Sequence, residues 1–220
     1  VLVLVVDSST PAVTAALVEV TADGVAARAH RCTVDARAHG ELLAPQVDAV
    51  LADADARPGD LSAIVAGLGP GPFTGLRVGL VTAATMGQVL GIPTYGVCSL
   101  DGIGHPAAAG EPVLAASDAR RKEVYWAVYD GAGQRIAGPN VDVPAVAAER
   151  ARDLAVTVAH RYADVLGLPV RAEPRYPDAT ALAALAAERI RAGAPSERLT
   201  PLYLRRPDAV AATGHKPVLP

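Results

Sequence analysis

Residues 1–6 form an unbroken apolar run, and Asp7-Ser8-Ser9-Thr10-Pro11 ends it abruptly. A strand that is apolar at every position, rather than at alternate ones, has to be covered on both faces. It therefore belongs inside a sheet that carries helices above and below. The polar cluster reads as a turn, Ala12–Val20 resumes as a second strand, and Val25–Val34 makes a third.

Three strands in succession then give way to alternation. Residues 40–56 carry Leu43, Val47, Val50, Leu51 and Ala54 on a helical stripe that stops before Pro58-Gly59. A buried strand is expected at 61–68, then the loop Gly69-Pro70-Gly71-Pro72, a helix at Phe73–Leu90 and a strand at 94–98. Ser99-Leu100-Asp101-Gly102 opens another helix. A second β-β-β run follows at 113–117, 123–129 and about 134–138, with a hairpin turn at Gly131-Ala132-Gly133. Helices are expected near 145–152 and 179–192, with a late strand-like or extended piece at Leu202-Tyr203-Leu204, while 156–177 carries no clear pattern. The repeated plan predicts an α/β chain with an internal duplication, its second copy reduced. With an acidic turn after the first strand, this is the actin-like ATPase (ASKHA, ribonuclease H-like) topology. Its halves are expected at 1–104 and 105–208, with a tail at 209–220.

Composition narrows the function. Hydrophobic residues make up 51% of the chain and charged ones 20%, which excludes disorder. A net charge of −3 argues against a protein that holds nucleic acid alone, because neutralising phosphates needs a concentrated basic surface. No apolar run approaches the roughly 20 residues of a membrane span. The two cysteines, Cys32 and Cys98, are too few for a disulfide framework or an unaided zinc site. A soluble, cytoplasmic protein is expected.

Four features invite chemistry. Asp7, Ser9 and Thr10 stand where an actin-like enzyme places its first phosphate loop, although no Gly is present and Pro11 lacks an N–H; a polar turn is the alternative. Asp118, Arg120 and Arg121, with Lys122, occupy the second such position, as a phosphate contact or a solvated basic turn. Neither this turn nor Arg205-Arg206 with Lys216 interleaves with aromatics, so no stacking platform for single strands is expected. His39 reads as a helix-start hydrogen-bonding residue. Lastly, Gly75, Gly79, Ala83, Gly87 and Gly91 leave one nearly bare face on a helix that four glycines should weaken by about 1 kcal/mol each. A backbone lying close along that face would compensate. Leu76, Leu80 and Leu90 mark another face, so this helix either packs wholly inside or offers one face to a partner.

Several blocks resemble the bacterial TsaB (YeaZ) family: Val5-Val6-Asp7-Ser8-Ser9-Thr10, Arg37-Ala38-His39-Gly40-Glu41, the stretch from Gly69 to Gly79, Asp118-Ala119-Arg120-Arg121-Lys122-Glu123-Val124-Tyr125, and Pro201-Leu202-Tyr203-Leu204-Arg205. They are scattered over nearly the whole chain. The resemblance implies a non-catalytic subunit of the machinery that makes N6-threonylcarbamoyladenosine beside the anticodon of tRNAs reading codons that begin with A. It implies pairing with the catalytic paralogue TsaD, docking of the ATPase TsaE on that heterodimer, self-pairing in isolation, only indirect contact with tRNA, and no membrane. By the same resemblance the two long helices form the interface, with Leu43, Val47, Val50, Leu51, Phe73, Leu76, Gly79, Leu80, Ala83 and Gly87 as its side chains. The paralogue's His-x-x-x-His metal ligands align with Ser99 and Ile103, which cannot replace imidazole, so no metal is expected. No cofactor is expected, and Asp7, Ser9, Thr10, Asp118, Arg120 and Arg121 remain as vestigial phosphate loops with weak nucleotide binding at most. The competing reading is a free-standing actin-fold ATPase or kinase working through Asp7 and the 118–122 turn. A glycoprotease-like metallopeptidase comes third.

Overall fold

The computed structural model describes residues 1–152, 155–158, 166, 169–170 and 173–205, with the side chains of 155–158 left aside. The expected tail at 209–220, Arg206 and Lys216 lie outside these residues, as does most of the unpatterned stretch 156–177.

The first sheet contains β1 (Leu2–Asp7), β2 (Ala12–Val20), β3 (Val25–Val34), β4 (Leu61–Gly67) and β5 (Thr94–Val97) in the order β3-β2-β1-β4-β5. β1 runs antiparallel to β2 and parallel to β4. Being central, β1 is covered on both faces, and its side chains divide by alternation. Leu4 and Val6 join α1 (His39–Asp53) and α2 (Phe73–Leu90) through Leu43, Val47, Val50, Leu76 and Leu80. Val3 and Val5 face the other way, against Leu182, Ala183, Ala186 and Ile190 of α5 (Ala179–Arg191).

The second sheet repeats the plan with β6 (Val113–Asp118), β7 (Val124–Tyr129), β8 (Arg135–Asp142) and β9 (Ala155–Val158), ordered β8-β7-β6-β9. Its antiparallel β6–β7 and parallel β6–β9 pairs match β1–β2 and β1–β4. The strand β9 is an element that the sequence pattern does not announce. On one face lies α3 (Asp101–Ala108), which buries Ile103 and Ala107 against Val113, Ala115 and Tyr129. On the other, α4 (Pro144–Arg150) sets Ala147 against Leu114, Ala116 and Trp126.

Two placements differ from expectation. The boundary at 104 cuts through α3, and the halves exchange helices: α3 covers the second sheet, while α5 returns to cover the first. Residues 202–204 form no strand. Instead 194–205 runs as a strap along the first half, with Glu197 N–H on the Thr94 carbonyl (2.8 Å) and Leu202 N–H on that of Leu68 (2.8 Å). The strap pairs Arg205 with Glu123 of the second half.

Candidate functional site

The first turn is built into the fold rather than displayed. Asp7 is 2% exposed. Its Oδ1 accepts hydrogen bonds from the Ser9 amide (3.0 Å) and hydroxyl (2.8 Å), and its Oδ2 accepts one from the Ser99 hydroxyl (2.5 Å). Ser99 Oγ accepts in turn from the Gly69 amide at 3.0 Å. Gly67 makes room for this carboxylate, since a Cβ there would come within 1.7 Å of Asp7 Oδ2. Burial pushes the Asp7 carboxyl up from its ordinary 3.8, and the bonds from Ser99 and Ser9 and the nearby His39 only partly offset that.

Ser8 explains the glycine ridge of α2. Its hydroxyl donates to the Gly75 carbonyl (2.7 Å) and accepts from the Gly79 amide (2.9 Å), so it bridges two groups that an undisturbed helix would bond directly. A Cβ at Gly79 would sit 2.6 Å from that hydroxyl, and one at Gly75 would lie 3.1 Å from the Ser8 carbonyl and 3.2 Å from His39 Nε2. Close approach by the chain's own β1–β2 turn thus supplies the compensation at Gly75 and Gly79, while Gly87 lies against Thr94 of β5. His39, buried at the start of α1, donates from Nε2 to the Thr10 carbonyl (2.7 Å) and holds the turn in place.

The β6–β7 turn approaches the same region from the second half. Arg120, Arg121 and Lys122 all have left-handed φ (64°, 51° and 63°), and all three are exposed. That conformation costs non-glycine residues roughly 1–2 kcal/mol each. Asp118 Oδ1 accepts the Arg120 amide (2.7 Å), and the Glu123 amide donates to the Arg120 carbonyl (3.0 Å), which closes the turn. A cavity of about 290 Å³ opens between the two turns, lined by Thr10, His39, Phe73, Thr74, Gly75, Asp118 and Arg120. Of the six expected phosphate-loop residues, Thr10, Asp118 and Arg120 meet there. Asp7 and Ser9 lie buried behind it, and Arg121 stands on the turn beside it.

The ten expected interface residues are placed differently. Leu43, Val47, Val50, Leu51, Leu76, Leu80 and Ala83 are at most 5% exposed inside the chain's own core, and Gly79 and Gly87 are buried against Ser8 and Thr94. Only Phe73 is open, at 52%. Both marked faces of α2 are consumed internally, because one meets the sheet and the other meets the β1–β2 turn at Gly75 and Gly79 and Thr94 at Gly87. The free side carries Phe73, Arg77, Val81, Thr85 and Val89, exposed at every fourth position, with Val81 at 61% and Val89 at 78%.

No spacing in the sequence points to Tyr203. The strap lays its ring on Phe73, with centroids 5.2 Å apart and planes 26° apart. Arg77 sets its guanidinium 4.0 Å from the Phe73 centroid and donates from Nε to Tyr203 Oη (2.9 Å). The separation of 126 positions between Arg77 and Tyr203 leaves no local signal for this pairing.

Ser99 and Ile103, the two positions expected to align with the paralogue's metal ligands, are both engaged in the fold. Ser99 spends its hydroxyl on Asp7 and Gly69, and Ile103 is 1% exposed in the second core. Among the described residues, no group of three His, Cys, Asp or Glu side chains could hold an ion, and no helix is long and apolar enough to cross a membrane.

A duplicated mixed sheet with one hairpin turn from each half at a shared cleft defines an actin-like ATPase fold. Residues 32–162 match the family model described as "TsaD: tRNA N6-adenosine threonylcarbamoyltransferase", and the chain belongs to that family. Among solved structures it is similar to YeaZ from Pseudomonas aeruginosa, with a TM-score of 0.74 and 27% identity over 92% of this chain and 99% of that one. The protein TsaB of Bacillus subtilis, described as a tRNA threonylcarbamoyladenosine biosynthesis protein, is 38% identical over 95 residues, 41% of this chain and 40% of that one. An uncharacterized protein of Mycobacterium tuberculosis is 48% identical over 94% of this chain and 93% of its own length. Another, from Mycobacterium leprae, is 47% identical over 96% of this chain, which spans only 57% of that relative.

Proposed function

We propose that this chain is a non-catalytic subunit of the machinery that places a threonylcarbamoyl group on N6 of the adenosine beside the anticodon. It pairs with the catalytic paralogue TsaD, which receives tRNA and the activated threonylcarbamoyl group, and the ATPase TsaE docks on the heterodimer. Alone, the chain pairs with itself. The tRNA modification named for the TsaB relative supports this reading, as does membership of the TsaD family. The observation that carries the non-catalytic part is the state of Asp7. An acid that orients a metal-bound water must face the cleft with an oxygen to spare. Asp7 is buried, and both of its oxygens are engaged by Ser9 and Ser99. The carboxylate acts as a knot that ties β1 to the segment after β5.

Pairing runs through the exposed ridge of α2. Two large apolar side chains open to solvent farther along the helix, Val81 and Val89, suit a partner helix better than water. Reconstitution with unmodified tRNA, TsaD, TsaE, the adenylate-forming enzyme, ATP, threonine and bicarbonate, read by nucleoside mass spectrometry, tests the reading. Product should depend on this chain, survive Asp7→Asn, and fall sharply with Val81→Glu plus Val89→Glu. Full product in its absence would refute the proposal.

A further inference from the structure

The cluster of Phe73, Arg77 and Tyr203 belongs neither to the core nor to the knot around Asp7. Phe73 and Tyr203 are 52% and 40% exposed in a chain whose aromatics amount to 4% of its residues. Tyr95, Tyr125, Trp126 and Tyr129 are all buried. Leu199, Leu202 and Leu204 hold the strap against the two cores, while Tyr203 between them sets an exposed ring on Phe73 instead. The cluster also has a charged neighbour: Phe73 and Arg120 line one cavity, and Arg121 and Lys122 follow Arg120 on the same turn. Of the nearby carboxylates, Glu123 pairs with Arg205, and Asp118 caps the turn through the Arg120 amide. What faces solvent is a stacked aromatic pair with a guanidinium on it, beside a turn that carries the exposed Arg120 and Lys122. Cations that track phosphates and rings that accept bases are how unpaired nucleic acid is held. Duplex RNA would not use the rings, because its bases are already stacked.

We infer that this surface binds an unpaired RNA segment directly, with a base stacked on the Phe73–Tyr203 pair and adjoining phosphates on Arg120 and Lys122. The inference rests on the reading above only for the expectation that the RNA belongs to a tRNA. It replaces the indirect tRNA contact expected from the sequence with a direct one.

The test is fluorescence anisotropy of the purified full chain with an unmodified tRNA transcript, a short unpaired RNA and a blunt RNA duplex, at about 50 and 200 mM salt. Wild type should prefer the tRNA and the unpaired RNA over the duplex. Tyr203→Leu and Phe73→Leu should each weaken binding roughly 5- to 100-fold. Arg120→Gln plus Lys122→Gln should weaken it and lower the slope of log affinity against log salt by about 0.7 for each phosphate no longer neutralised. Circular dichroism and thermal melts of these surface variants report whether the fold is intact. Equal binding of all three RNAs, or folded variants that bind like wild type, would overturn the inference. So would variants that bind RNA normally but fail to associate with TsaD, since the cluster would then be a protein contact. Normal RNA binding in a reconstitution that does not need this chain would leave the inference standing and remove the subunit reading. The reverse pattern would do the opposite.

Discussion

Leu80 and Val81 are neighbours in sequence with opposite environments, and replacing each by Glu separates the interior of α2 from its free ridge. Leu80 is 5% exposed among Leu43, Val47 and Leu76, whereas Val81 is 61% exposed. Removing a buried leucine forfeits about 2–3 kcal/mol of transfer free energy. A carboxyl group put in its place without a partner adds roughly 1–3 kcal/mol. Together, about 4–5 kcal/mol is a large part of the 5–15 kcal/mol that holds a typical domain folded, and it lowers the folded-to-unfolded ratio about a thousandfold. Val81→Glu should change stability by no more than about 0.5 kcal/mol. Urea unfolding followed by far-ultraviolet circular dichroism, at a protein concentration below that of self-pairing, measures both. Light scattering at higher concentration then reads assembly, which Val81→Glu should weaken and Leu80→Glu should reach only through loss of fold. A stable, unpaired Leu80→Glu protein would refute this orientation of α2 and restore the Leu80 face as a partner surface.

Other consequences are as direct. Because burial raises Asp7 in the folded state, the folded protein holds that proton more tightly than the unfolded chain. The resulting stability is full below the unfolded value of 3.8 and is lost as pH rises through the folded one, so Asp7→Asn should flatten the fall seen for wild type in urea titrations across that range. Parallel pH profiles for the two proteins would contradict this. Gly67→Ala drives a methyl group into Asp7 Oδ2 and Ser99 Oγ and should cost about 3 kcal/mol or more, less in an Asp7→Ser background, and strict additivity in that double-mutant cycle would argue against the collision. Cys98 is buried, with its thiol pushed up to about 12 by desolvation and the charge of Asp101, whereas Cys32 is exposed on β3. Iodoacetamide near neutral pH should therefore add once to the native protein and twice after unfolding, and rapid double labelling of the native state would count against the packing at β5–α3. Burial alone would raise Glu197, but hydrogen bonds from Arg189 and the Gly96 amide hold it below its ordinary 4.5. What it contributes to anchoring the strap is present above that value and lost as pH falls through the lower folded one, and hydrogen exchange at Gly96 should quicken there. Unchanged exchange would show that the backbone contacts of the strap suffice.

Local pattern carried much of the fold. An all-apolar β1 required cover on both faces whatever its neighbours, and the helical stripe ending at Pro58-Gly59 could be placed because periodicity and breakers act over a few residues. Ala12–Val20, Val25–Val34 and Phe73–Leu90 were bounded by such signals alone. The glycine ridge announced a close approach, and Ser99 and Ile103 announced the lack of imidazole, because side-chain identity decides both.

What only the tertiary structure decided is which surface each face meets. Periodicity shows that a helix has an apolar stripe but not what covers it, so Leu76, Leu80 and the glycines are equally suited to a partner and to the core. The β1–β2 turn claimed Gly75 and Gly79 through Ser8, the sheet claimed the leucines, and Phe73, Val81 and Val89 were left outside. Asp7 reads the same in sequence whether it faces a nucleotide or a serine, and the partner that occupies it, Ser99, comes from 92 residues away. The basic turn stands far from any exposed aromatic along the chain, yet folding sets Phe73 beside Arg120 and lays Tyr203 on it. Contacts of that range are fixed by the packing of whole sheets and straps, and no window of sequence contains both of their ends.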